Sequence, residues 1–207
     1  MATNYSPKII TDGLVYYFDF ANPKGVDINN GYLYNLANKN FFIDFNPGSI
    51  TTDPTKFEIS GKKSLINITS TYSPAAILSG DSTLIFWGNF DVNSSGTLLN
   101  GADVNGGFTA TWEANTKYNF IYADRETACK VKQDTIINDG PPIDTNYHMI
   151  LIENLQALET NNVIFGPWIG VVTIIMWYDR RLTEEEILQN YNAIKGRYEK
   201  YNKGGKI

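Results

Sequence analysis

The sequence predicts an all-β protein, a sandwich or barrel of antiparallel strands followed by one C-terminal helix. Three observations carry that expectation. Apolar segments with strand character recur at intervals of roughly 8–15 residues, with turn chemistry between them. Aromatic residues make up 14% of the chain, with 13 Tyr and 11 Phe, and Asn occurs 23 times; the first suit pleated surfaces and the second suits turns. Sustained helical periodicity occurs in one place, after Leu182. With 207 residues, 43% hydrophobic and 19% charged, the chain suits one domain with a core of its own.

The elements follow in order. Leu14–Phe20 alternates, with Leu14, Tyr16, Phe18 and Phe20 on one face and Val15, Tyr17 and Asp19 on the other. Asn22-Pro23 and Asp27–Gly31 break it, and a Pro- and Gly-marked region follows through Asn46-Pro47-Gly48 and Asp53-Pro54. Ser64–Thr69 is a short strand. Thr83–Phe90 is a strong one, in which Gly88 signals a bulge or a close backbone approach. Thr97–Asn100 continues after a turn, and Gly101–Gly107 reads as a loop. Gly107–Trp112 and Lys117–Tyr122 form a hairpin, with Phe108, Ala110 and Trp112 set against Tyr118, Phe120 and Tyr122. Ala128–Ile137 is weaker, since Lys130, Lys132 and Asp134 give it a polar outer face. Asn146–Glu153 and the Trp168–Tyr178 run complete the strands.

The helix is marked at its start. Thr183 with Glu186 three residues on makes a capping box, and Leu182 with Ile187 a hydrophobic staple. Glu184 and Glu185 place negative charge at the positive end of the helix dipole. Ile187, Tyr191, Ile194 and Tyr198 give one apolar stripe, which predicts packing across a sheet edge or end. The expected organisation is an arm over residues 1–11, a single domain over 12–200 ending in a helix over 183–200, and a tail over 201–207.

Charge and composition exclude several classes. A formal charge of −5 and a pI near 4.9 disfavour nucleic acid, whose phosphates the surface repels. One cysteine, Cys129, allows no internal disulfide framework, and one histidine, His148, allows no multi-histidine metal site. Met1–Thr11 carries no apolar leader segment. Val163–Tyr178 is apolar but is interrupted by Gly166, Pro167 and Gly170, and a membrane-spanning helix needs about 20 residues. Two short buried strands around a Gly-Pro turn fit better, and no membrane partner is expected.

Two segments carry a family resemblance. Met176–Tyr198 (MWYDRRLTEEEILQNYNAIKGRY) resembles the closing motif of the concanavalin A-like lectin/glucanase superfamily in its laminin-G-like branch. Asp12–Lys24 (DGLVYYFDFANPK) resembles that family's first strand through Gly13, Leu14, Val15, Tyr17, Asp19 and Asn22, with Phe20 an extra residue before Ala21. Gly61–Ile66, Leu84–Trp87 and Asn146–Glu153 resemble middle strands, and residues 91–145 have no counterpart. The resemblance implies a jelly-roll sandwich of two antiparallel sheets. Asn190–Ala193 and Lys195–Tyr198 are most similar to the stand-alone version found in tailed-bacteriophage virion proteins.

The fold hosts lectins, glycosidases and structural modules alike, so function is weighed at sites. A retaining glycosidase needs two carboxylates about 5 Å apart. The strings Glu-x-Asp-x-Glu and Glu-x-Asp-x-x-Glu are absent, and Asp124 with Glu126 reads as a solvated turn. His148 has no Gly-x-Ser-x-Gly elbow to serve, and Cys129 has no activating neighbour beyond Lys130. No catalytic residue is assigned and no enzyme is expected.

Sugar binding uses an aromatic face with amides and carboxylates beside it. Trp112 with Glu113 and Asn115, near Asp103 and Asn105 of the 101–107 loop, is the best such constellation; packing at the hairpin end is the favoured competing role of Trp112. Trp87, Trp168 and Trp177 lie in apolar runs and read as core. Lectins of the superfamily often hold calcium in loops, and Asp103 with Asn105, or Asp27 with Asn29 and Asn30, supplies oxygen donors. Their spacing completes no loop motif and these are ordinary turn formers, so no metal site is assigned.

The resemblance implies a structural virion protein of a tailed phage, decorating capsid, neck or fibre, made in the bacterial cytoplasm and partnered by other virion proteins. Adhesion to host-surface polysaccharide is a compatible expectation. The alternative is a dedicated carbohydrate-binding lectin module, calcium-dependent or not; no cofactor is assigned.

Overall fold

The computed structural model describes residues 8–20, 22, 24–27, 29–30, 32–37, 42–44, 50–53, 56–60, 66–69, 82–90, 96–102, 108–112, 118–122, 125–126, 130–133, 136–137, 146–155, 162–165 and 170–202; side chains are described within 8–37, and for 82–89, 132, 146–153 and 172–197. The strands are β1 (Leu14–Asp19), β2 (Val26–Asp27), β3 (Tyr32–Tyr34), β4 (Phe42–Asp44), β5 (Ile50–Asp53) and β6 (Lys56–Ser60). Then come β7 (Ile66–Thr69), β8 (Ser82–Phe90), β9 (Gly96–Ala102), β10 (Phe108–Trp112), β11 (Tyr118–Tyr122) and β12 (Arg125–Glu126). The remainder are β13 (Lys130–Gln133), β14 (Ile136–Ile137), β15 (His148–Leu155), β16 (Asn162–Phe165) and β17 (Gly170–Tyr178), followed by α1 (Glu184–Asn202).

The result is an antiparallel β-sandwich. An eight-stranded sheet runs β14-β13-β15-β8-β17-β6-β5, with β1 also on β17. A six-stranded sheet runs β12-β11-β10-β9-β16-β7, and β2-β3-β4 make a small third sheet. β17 pairs with β8 from Gly170 to Tyr178. On its other side it pairs with β6 at Val171–Val172 and with β1 from Ile174 to Tyr178. β16 and β17 are consecutive in sequence but belong to different sheets, so the apolar Val163–Tyr178 stretch is two strands. Among the described residues, no helix is long and apolar enough to cross a membrane.

Both faces of the central strands are buried. Ile85, Trp87, Met149, Leu151, Ile174, Met176 and Tyr178 pack on one side with Leu182, Ile187 and Ile194. Alternation puts Leu84, Phe86, Ile150, Ile152, Ile175 and Trp177 on the other, joined by Tyr16, Phe18 and Phe20, all buried. The helix therefore lies over the middle of the eight-stranded sheet. It does not cover an edge or end, because β15, β8 and β17 offer a continuous apolar surface only there.

Local signals at the helix start hold as expected. The Glu186 N–H donates to Thr183 Oγ1 at 3.3 Å, and the Thr183 N–H donates to Glu186 Oε2 at 2.9 Å. Leu182 and Ile187 are buried in one cluster. The β10–β11 hairpin has the expected register, with Phe108 opposite Tyr122, Ala110 opposite Phe120 and Trp112 opposite Tyr118.

Four further expectations need correction. Leu14 does not share a face with Tyr16: the β1–β17 register shifts between them, and Leu14 joins Tyr17 on the helix side. The bulge expected at Gly88 lies on the partner strand, where Val172 pairs with Gly88 and Ile174 with Trp87, leaving Thr173 extra. Lys132 is not on a polar outer face but is 1% exposed. Gly101 and Ala102, expected in a loop, belong to β9.

Candidate functional site

The residues singled out for sugar or calcium fall mostly beyond what is described. Trp112 ends β10, opposite Tyr118 and Gly96, with only its backbone described. Glu113, Asn115, Asp103 and Asn105 lie outside the described residues. Asp27 spends its oxygens on a turn: Oδ1 accepts from the Asn30 N–H at 3.1 Å and Oδ2 from Asn30 Nδ2 at 2.8 Å. Those bonds hold its carboxyl below the usual carboxylate range. Among the described residues, no group of three or more His, Cys, Asp or Glu side chains could hold a metal ion. His148 opens β15 opposite Gly88 and is 9% exposed.

The structure instead forms a cleft beside β1. Thr11–Leu14 is a turn closed by the Leu14 N–H on Thr11 O at 3.2 Å, with Gly13 at φ +71°. A positive φ at the third position of such a turn is what glycine supplies. The turn folds residues 8–11 back onto α1. There the Ile10 N–H donates to Asn190 Oδ1 at 2.8 Å, while the Tyr178 hydroxyl donates to Ile10 O at 2.9 Å. Asn190 Nδ2 donates to that hydroxyl oxygen at 3.0 Å, and Gln189 Nε2 to Lys8 O at 2.7 Å. Asn190 and Tyr178 are fully buried, and burial pushes the Tyr178 phenol well above its ordinary range.

The opposite wall comes from residues 22–37. Gly25 N–H closes a turn on Asn22 O at 2.8 Å, and the Lys24 N–H donates to Asn22 Oδ1 at 3.0 Å. Asn35, 1% exposed, then serves β1 as a substitute ladder partner. Its Oδ1 accepts from Tyr17 N–H at 2.9 Å and its Nδ2 donates to Val15 O at 2.9 Å, while Leu36 N–H reaches Tyr17 O at 2.8 Å. These bonds occupy backbone groups that a strand edge would leave unpaired.

Between the two walls lies a cavity of about 740 Å³, lined by Ile9, Thr11, Leu14, Tyr17, Asn22, Lys24, Tyr34, Leu36 and Ala37. That size and a mainly apolar lining with a few polar groups are those of a small-ligand site. Tyr17 donates its hydroxyl proton to Asp19 Oδ2 at 3.1 Å. Asp19 is fully buried and also takes Arg197 Nη1 at 2.6 Å. Lys24 is the single charged side chain among the described lining residues, and they include no carboxylate. None of these residues stood out in the sequence as a binding group. Asn190 carried the one available signal, a polar residue beside the apolar stripe of α1.

A second polar cluster fastens the start of α1. Lys132 Nζ lies 2.5 Å from Glu184 Oε1 and 3.6 Å from Glu153 Oε2, and Arg181 Nε lies 3.5 Å from Glu153 Oε1. Nearby, Arg180 bridges Asp12 at 3.0 Å and Glu186 at 2.7 Å. The Arg180 bond and the Thr183 N–H together lower the Glu186 carboxyl to about 2.

Comparison with known proteins places the fold. Neither protein-family models nor curated proteins give a match. Among solved structures, Trypanosoma rangeli sialidase in complex with sialic acid is similar at TM-score 0.58 and 13% identity, over 89% of this chain and 33% of that one. The same enzyme in complex with 2,3-difluoro-KDN gives TM-score 0.59 at 12% identity, again over 89% and 33%. The binding domain of botulinum neurotoxin DC in complex with SialylT gives TM-score 0.53 at 12% identity, over 89% and 52%. This chain thus spans about a third of the sialidase's length. At such identity the likeness concerns the fold alone, a β-sandwich that is present both in that enzyme and in that binding domain.

Proposed function

We propose that this chain is a non-catalytic, lectin-type module that binds carbohydrate in the cleft beside β1. The observation that carries the reading is the roughly 740 Å³ recess with Tyr17 and Tyr34 among apolar walls and Thr11, Asn22 and Lys24 as polar partners. A sugar's CH face stacks on aromatic rings while its hydroxyls take hydrogen bonds in fixed geometry. The fold supports the reading, since proteins that share it were solved with sialic acid and with SialylT bound. Host-surface polysaccharide is the partner this implies.

A glycan array with purified protein tests it, read with calcium and again with EDTA. Binding should survive EDTA and weaken about tenfold in Tyr34→Ala, with the melting temperature as the fold control. Loss of binding in Trp112→Ala with Tyr34→Ala unaffected would move the site to the hairpin end. Loss in EDTA would move it to a calcium loop such as that of Asp103 and Asn105. A second reading, a structural decoration of a tailed-phage virion held by other virion proteins, is supported by the resemblance of residues 176–198. An array with no bound glycan would make it the leading one.

A further inference from the structure

We propose that the ligand of the cleft is an acidic sugar, with its carboxylate received by Lys24 and Asn22; this rests on the carbohydrate reading of the cleft. The chain has a formal charge of −5, yet the one charge on the described cleft lining is a cation. Lys24 makes no ion pair among the described residues. The Lys24 ammonium stands exposed at the rim of this largely apolar recess, where it draws an anion and sets which end of the ligand enters there.

The neighbouring donors reinforce the choice. Asn22 Oδ1 already accepts the Lys24 N–H at 3.0 Å, so the group Asn22 has left for a ligand is its NH₂, a donor. Asn22 and Lys24 are held two residues apart by one turn, closed by the Gly25 N–H on Asn22 O at 2.8 Å. A carboxylate has two acceptor oxygens and no proton, and so can satisfy both donors at once. A neutral hydroxyl gives the ammonium a weaker partner.

The test is an array in which each acidic glycan, uronic or nonulosonic, stands beside its carboxyl-reduced partner. The acids should bind about tenfold or more tightly than their reduced partners, as charge-assisted hydrogen bonds require. The preference should vanish in Lys24→Met and return in Lys24→Arg. Acidic and reduced glycans bound equally, with Tyr34→Ala still weakening both, would overturn this inference and leave the cleft as a neutral-sugar site. An acid preference unchanged in Lys24→Met would overturn it too. No glycan bound at all would overturn the cleft reading, and this inference with it.

Discussion

Gly13 sits at φ +71°, and a Cβ built there would lie 2.8 Å from Asp179 Oδ1 and 2.9 Å from Arg180 Cγ. Backbone strain and crowding act together, so Gly13→Ala should destabilise the fold by about 1–3 kcal/mol. Calorimetry should then show a melting temperature lower by several degrees. Glu186 makes a different kind of prediction. Its carboxyl, ordinarily at 4.5, is lowered to about 2 in the folded chain by Arg180 and the Thr183 N–H. A depressed carboxylate contributes stability that is present above the unfolded value and lost as pH falls through the folded one. Melting temperature should therefore drop between pH 4.5 and about 2, and Glu186→Gln, which keeps a capping partner but no charge, should flatten that part of the curve. An unchanged acid profile in Glu186→Gln would remove Arg180–Glu186 from the explanation.

Between elements, the joint that matters most is the one holding residues 8–11 to α1. Asn190 and Tyr178 grip both backbone groups of Ile10, and Ile9 and Thr11 on either side line the cleft. Asn190→Ala should expose the Ile10 amide to hydrogen exchange and weaken glycan binding, while the β8 and β17 amides stay protected. Full protection of Ile10 in that variant would show the grip to be dispensable. At this scale the legible parts of the sequence were those with local causes. The capping box, the staple and the β10–β11 hairpin depend on residues close in sequence, and they were read correctly. β2 to β6 are not legible because strands of two to five residues set among Pro and Gly are too short to show alternation, even though they pair with neighbours close in the chain. Lys132 was misread because alternation assumes a wet face, whereas Glu184 of α1 reaches over it. The cleft stayed hidden for the same reason: β1, the turn before it and residues 22–37 converge only in three dimensions.

Across the whole molecule, the first and last strands are neighbours. β1 lies on β17, Asp179 N–H donates to Gly13 O at 2.9 Å, and Arg180 bridges Asp12 to Glu186. Residues 12–19 and 176–186 are therefore joined into one structural unit although they stand at opposite ends of the sequence. The sheet assignment follows from the same arrangement, because β17 organises the eight-stranded sheet through β8, β6 and β1. That geometry also sets how the chain would answer a mechanical load. A pull applied at Lys8 meets first the few side-chain bonds of Gln189, Asn190 and Tyr178, and only after they yield does it begin to peel β1 from β17. Since Ile9 and Thr11 travel with that segment, tension would open the cleft before it threatened the sandwich. The weaker joint thus lies at the cleft wall and the stronger one in the sandwich, so the segment over residues 8–11 yields first.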